Sequence, residues 1–175
     1  MPIRKAEAEW NSVEHASYLN DEGIAAMKAH RTYLVPTLYN GDFLLENMQV
    51  LHLGEFLVVK AREVLPAAKR NVSHAFQNGV KVAFGTDAGV FPHGLNAREF
   101  NSMVRADLSP LAAIQAATIN AADLLGWGEK VGAIEPGQWA DLVAVDGDPL
   151  QDVKVLESVK FAMKGGQTHK NDYAK

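Results

Sequence analysis

Along this sequence, short stretches of β-forming residues end in polar side chains and give way to helical patterns. That order constrains the fold more than any other feature. The first instance is Ser12-Val13-Glu14-His15, after which Asn20 or Asp21 offers an N-cap for a helix through Ile24, Met27 and His30. Glu22 is favourable at the positive end of that helix. The second is Tyr33-Leu34-Val35-Pro36-Thr37-Leu38, an unbroken apolar run of the kind that makes a strand covered on both faces. Pro36 has no N–H to give a ladder and belongs at the strand's end. Within residues 55–78, Leu57, Ala61, Val64, Ala68, Val72, Ala75 and Phe76 form one helical stripe. Pro66 predicts a kink or restart inside it, and Gly79 a stop. The third instance, Val80-Lys81-Val82-Ala83-Phe84, closes in Gly85-Thr86-Asp87-Ala88-Gly89. Two more helical patterns follow. One covers about residues 96–106; the other starts at the N-cap pair Ser109-Pro110 and runs to Leu125, stopping at Gly126.

The texture changes after Trp127. Residues 132–137 are turn-rich, Leu142-Val143-Ala144-Val145 reads as a strand, and residues 146–149 form another turn. Residues 159–164 alternate as a half-buried strand does, and Gly165-Gly166 turns the chain back. A boundary near Lys130 separates a β/α part, 1–130, from a small β-rich part, 131–175.

Strands alternating with helices imply parallel strands joined by helical crossovers, an α/β fold. Ligands in such folds bind at the C-terminal ends of the strands. His15, Thr37 and Asp87 all fall there, and this position singles out His15 and Asp87. Ordinary roles stand beside the functional ones. An imidazole after a strand is more often a loop or core-edge residue than a ligand, and an Asp in Gly-Thr-Asp-Ala-Gly commonly caps its own turn. His93, in Pro92-His93-Gly94, reads unaided as a surface residue, as do His30, His52, His74 and His169. Trp127 and Trp139 read as packing residues at the join of the two parts. Gly85, Gly89 and Gly94 match no phosphate-loop spacing.

Composition narrows the partners. Of 175 residues, 47% are hydrophobic and 22% charged, with a formal charge of -4 and no Lys/Arg cluster, which argues against nucleic acid. No apolar run approaches the ~20 residues of a membrane span, and the start of the chain carries no apolar signal core. The absence of Cys excludes disulfides, thiolate zinc sites and a cysteine nucleophile, and a cytoplasmic setting is expected.

Val82-Ala83-Phe84-Gly85-Thr86-Asp87-Ala88-Gly89, followed by Pro92-His93-Gly94, Asn96 and Glu99, resembles the last barrel strand and loop of the metal-dependent amidohydrolases. The branch it is most similar to is that of the imidazolonepropionase-like and Xaa-Pro dipeptidase-like enzymes. Ser12-Val13-Glu14-His15, Ala116-Ala117-Thr118 with Ala121-Ala122, and Val131-Gly132-Ala133-Ile134-Glu135-Pro136-Gly137 running on through Ala140-Asp141-Leu142-Val143 fit the same pattern. The resemblance implies the C-terminal part of a (β/α)8 TIM-type barrel, about its last three β/α units, plus strands of a small β-sandwich. It implies one or two divalent metals, usually zinc, and hydrolysis of a C–N bond in a small-molecule or dipeptide-like substrate. Asp87 matches the last-strand aspartate that contacts metal and takes a proton from the attacking water. His15 matches the sixth-strand histidine, a metal or substrate ligand, and His93 lies in the loop where substrate is met.

The departures matter equally. The resemblance also implies a His-x-His pair on the first strand, a lysine on the fourth and a histidine on the fifth. The chain has no His-x-His, and its six histidines leave none for the fifth strand. The lead-in, Met1 to Asn11, differs from the usual run into the sixth strand, and Arg31 and Asp107 stand where glycines are expected. A complete barrel typically takes ~250 residues. A three-strand piece leaves two sheet edges unpaired. The chain is therefore expected to be a truncated copy, to complete a barrel with a separate N-terminal segment, or to self-associate. Zinc is expected only where the missing ligands are supplied, and a non-catalytic binding or assembly module is the alternative function.

Overall fold

The computed structural model of the chain describes residues 10–52 and 54–174, so most of the atypical lead-in lies outside the described residues. The described residues form an α/β arrangement. Strand β1 (Ser12–Glu14) pairs in parallel with β2 (Tyr33–Val35), Val13 opposite Leu34. Helix α1 (Asp21–Ala29) crosses between them, capped by the Asn20 side chain, which accepts from Gly23 N–H. Of the two N-cap candidates, Asn20 serves.

The third stretch, 80–84, lies beside β2 as expected. Its ladder is brief: one parallel bridge, Leu34 to Val82, with Leu34 N–H donating to Lys81 O and Ala83 N–H to Leu34 O, each at 2.9 Å. Close approach at its end depends on Gly85, where an added Cβ would stand 2.3 Å from Val35 Cγ1. Its far edge is not bare, which corrects the expectation of two unpaired edges. Phe84 N–H donates to Ala116 O at 2.9 Å, and Asn120 Nδ2 donates to Val82 O at 2.9 Å. These acceptor and donor groups come from a helix break that the sequence pattern did not indicate. The expected single helix after Ser109 is two, α5 (Pro110–Ala117) and α6 (Ile119–Leu124), separated at Thr118 (φ -119, ψ -97). The break frees a carbonyl and an amide side chain to satisfy the strand edge, where a buried orphan pair would otherwise be costly.

Helix α2 (Tyr39–Glu46), absent from the sequence expectations, follows β2 almost at once. Helix α3 (Glu55–Gln77) runs unbroken through Pro66, correcting the expected restart. Pro66 faces solvent, so the carbonyl deprived of its N–H partner meets water, not core. Helix α4 (Arg98–Val104) completes the first part. One core face joins Val13, Leu34 and Val82 to Met27, Ala68, Val72, Met103 and Ala113; the other sets Tyr33, Val35 and Ala83 against Leu124. Thus β2 is buried on both faces, as its apolar run required.

Towards the C-terminus, β3 (Leu142–Val145), β4 (Val159–Lys164) and β5 (Gln167–Asn171) form an antiparallel sheet with β4 central. The β4–β5 hairpin turns on Gly165 and Gly166, both at positive φ (56° and 80°), the geometry of a two-residue turn that favours glycine. A 3-10 turn, Val153–Glu157, lies against α4, where Glu157 pairs with Arg98 at 3.4 Å. Trp127 and Trp139 pack edge to face at 5.6 Å with Lys130 over both rings, though each indole stays about half exposed.

Candidate functional site

The three residues that the sequence places at strand ends share a backbone peculiarity. His15, Thr37 and Asp87 all lie in the left-handed region, at φ 65°, 48° and 48°. For non-glycine residues this is uncommon, and for a β-branched threonine it is an outlier. Strain of this kind persists only where surroundings over-determine it, and it clusters at functional sites. At each strand end the chain turns away at the point where a side chain is presented.

The surroundings are specific. His15 N–H continues the β1–β2 ladder to Val35 O at 2.9 Å, and its ring Nδ1 lies 2.6 Å from Thr37 Oγ1. With Nδ1 engaged, Nε2 is the nitrogen left for a ligand. On the far side of the same loop, Asn40 Nδ2 donates to Asp87 Oδ2 at 3.2 Å, while Asn40 Oδ1 is buried with no partner. Asn40 was not found in the sequence because α2 itself was not.

The segment Thr37–Asn40 is held from below. Glu99, fully buried on α4, accepts from Leu38 N–H at 2.8 Å and Tyr39 N–H at 2.6 Å. Burial pushes its carboxyl up to about 8, against the opposing pull of those two N–H groups. One helical turn further along α2, buried Asp42 binds Lys69 Nζ at 2.6 Å and Ser102 Oγ at 2.6 Å. A signal for Glu99 did exist: with Ser102 and Met103 it occupies the buried face of α4, a place where a carboxylate is costly unless partnered.

His15 and Asp87 are exposed and flank the Thr37–Asn40 loop without a direct bond between them. His93 is exposed too. Its loop is tied down by Asn96, whose Nδ2 donates to Thr86 Oγ1 at 3.0 Å, but no hydrogen bond or ion pair joins His93 to the other two among the described residues. Beside His15 opens a cavity of about 340 Å³, lined mainly by Pro36, Leu38, Leu44, Ala61 and Leu65, with Lys60 also on its wall. Among the described residues no three His, Asp or Glu side chains converge as a metal centre requires, and a catalytic zinc takes about three protein ligands. His15 and Asp87 have the right donor chemistry but fall short in number. At the opposite end of the strands, Tyr33 donates to Asp123, next to Lys81. Burial, then the Asp123 carboxylate, raises the phenol's pKa; the hydrogen bond from Tyr33, then Lys81, lowers that of Asp123.

Comparison with known proteins places this arrangement. The family described as the amidohydrolase family matches residues 4–169. A crystal structure of a Xaa-Pro dipeptidase with methionine bound in its active site superposes with a TM-score of 0.90 at 38% identity, over 97% of this chain and 42% of that one. Ochratoxinase of Aspergillus niger is 33% identical over 173 residues, 94% of this chain and 35% of its own length. A 5-methylthioadenosine/S-adenosylhomocysteine deaminase of Teredinibacter turnerae is 30% identical over 144 residues. The chain thus spans well under half the length of these relatives. No described helix is long and apolar enough to cross a membrane.

Proposed function

Because the chain belongs to the amidohydrolase family, we propose that it forms the C-terminal portion of a dipeptidase-like hydrolase that cleaves C–N bonds of amides or peptides. The observation that carries this is the set of parallel strand ends at which His15, Thr37 and Asp87 leave the strand in left-handed conformations. The unequal roles of the two bonded pairs support the assignment. Thr37 engages Nδ1 of the His15 ring and so leaves Nε2 for a ligand, and Asn40 steadies one oxygen of Asp87.

In the proposed reaction Asp87 takes a proton from water, the water oxygen bonds to the substrate's carbonyl carbon, the C–N bond breaks, and the proton passes from Asp87 to the departing nitrogen. The resemblance adds a divalent metal, zinc by preference, which when bound lowers the pKa of that water. His15 and Asp87 would be its donors in this chain, and two donors do not suffice, so the others would be supplied by the N-terminal part of the barrel. The cavity beside His15 suits an apolar group of a small-molecule or dipeptide-like substrate, and the resemblance adds His93, in the loop after Asp87, as a substrate contact. The barrel portion is 1–130 and the sandwich portion 131–175.

The test is zinc content and hydrolysis of Xaa-Pro dipeptides and N-acyl amino acids by the purified chain, with and without that segment. Stoichiometric zinc and turnover in the mixture support the proposal; neither, with a stable oligomer indifferent to chelator, favours a non-catalytic assembly module. The lack of a three-ligand cluster among the described residues is what keeps that second reading in view.

A further inference from the structure

We infer that Glu99 is the positioning residue of this site: its buried carboxyl group clamps the Thr37–Asn40 segment and thereby sets both the His15 ring and the Asp87 carboxylate. The inference rests on the reading of His15 and Asp87 as the site. Helix α2 begins at Leu38 without a side-chain cap from its own neighbourhood. Its first N–H groups, on Leu38 and Tyr39, would be buried orphans, and the Glu99 carboxyl group, 61 and 60 residues away along the chain, takes both. Two bonds to one rigid planar group fix orientation as well as position.

The clamped peptide groups lie between the two residues that touch the site. Thr37, immediately before them, holds the His15 ring; Asn40, immediately after, holds Asp87. Thr37 sits at φ 48°, a conformation a threonine does not adopt unaided, and the anchored residue next to it supplies the restraint. Asp42, bound to Lys69, Ser102 and more distantly Arg105, fastens the next turn of α2 to α3 and α4. That attachment and the bond of 2.8 Å from Arg98 to Tyr39 Oη hold α2 through its side chains, while Glu99 takes the backbone N–H groups of Leu38 and Tyr39 at its start.

The experiment reads the His15 imidazole in the full chain by long-range proton–nitrogen correlation, which needs neither metal nor turnover. A ring with Nδ1 engaged gives unequal nitrogen shifts, those of one tautomer. Thr37→Val supplies the reference for a released ring. Glu99→Gln keeps the shape but sets an NH2 against one of the two N–H groups, and should move the His15 shifts towards the Thr37→Val values; Glu99→Ala should reach them. Met103→Ala, in the fully buried core beside Glu99 but without a bond to the loop, should destabilise the fold and leave the His15 shifts unchanged. Should Glu99→Ala not fold, Glu99→Gln decides. Wild-type His15 shifts in a folded Glu99→Gln chain would overturn the inference, as would a Met103→Ala chain that moves them equally. Absence of hydrolysis, by contrast, would count only against the proposed activity.

Discussion

Asn40 and Asp87, 47 residues apart in sequence, meet through one hydrogen bond of 3.2 Å from amide to carboxylate at the ends of adjacent strands. The bond ties the loop that orients His15 to the carboxylate assigned as proton acceptor. Asn40→Ala removes a bond to a charged acceptor worth roughly 1.5 kcal/mol. Turnover of the assembled enzyme should fall about tenfold. The Asp87 end of the bond is exposed, so the unfolding temperature should move by no more than about 2 °C in a calorimetric scan.

Arg31 follows the end of α1 at φ 55°, where the family resemblance implies glycine. A left-handed conformation costs a side-chain-bearing residue roughly 1–2 kcal/mol, while glycine gives back about half of that in unfolded-state entropy. Arg31→Gly should therefore stabilise the chain by about 0.5–1 kcal/mol in urea unfolding. Asp107, at φ 63°, is a different case, because its carboxylate accepts from Ser73 Oγ at 2.9 Å. Asp107→Gly loses that bond and should give no net gain.

Lys69 neutralises Asp42, which is only 4% exposed. Removing one member of a buried pair leaves the other charge uncompensated, at a cost of about 3–5 kcal/mol. Ser102 and the more distant Arg105 still face Asp42. Lys69→Met should thus fall at the lower end, about 3 kcal/mol, measured by the shift in urea midpoint.

Glu99 gives the fold a pH dependence of definite sign. Its carboxyl is raised by burial to about 8 from an ordinary 4.5, so the folded chain holds a proton that the unfolded chain has released. Stability from this group is present in full below the unfolded value and is lost as pH rises from about 4.5 to about 8. Asp42 pushes in the same direction and Lys69 opposes it, with the two N–H donors opposing more strongly. Urea unfolding at pH 5.5 and 8.5, chosen to bracket about pH 8, should show wild type losing stability and Glu99→Gln losing less. Equal pH dependence in both chains contradicts the assignment.

The parts of the site that were legible in the sequence were those set by strand order alone. A parallel β/α succession presents whatever follows each strand, so His15, Thr37 and Asp87 were identifiable without coordinates. Asn40 and the clamp were not. Helix α2 starts two residues past Thr37 with leucine at its N-cap, and the neighbouring Thr37 and Asn40 bond His15 and Asp87 and do not cap it; its cap arrives from Glu99, in a distant helix. The break at Thr118 was hidden for a related reason. An alanine-rich run carries no local stop, and what interrupts it is the need of Phe84 N–H and Val82 O for partners. Pro66 erred the other way: a strong local breaker is tolerated because its missing bond faces solvent.

The most direct test of the whole account is the rate of amide hydrolysis by the chain assembled with the remaining barrel segment, wild type against Asp87→Asn. With Asp87 as proton acceptor, the substitution should lower kcat by about 10²–10⁴-fold while circular dichroism stays unchanged. An Asp87→Asn enzyme that turns over at the wild-type rate would contradict it.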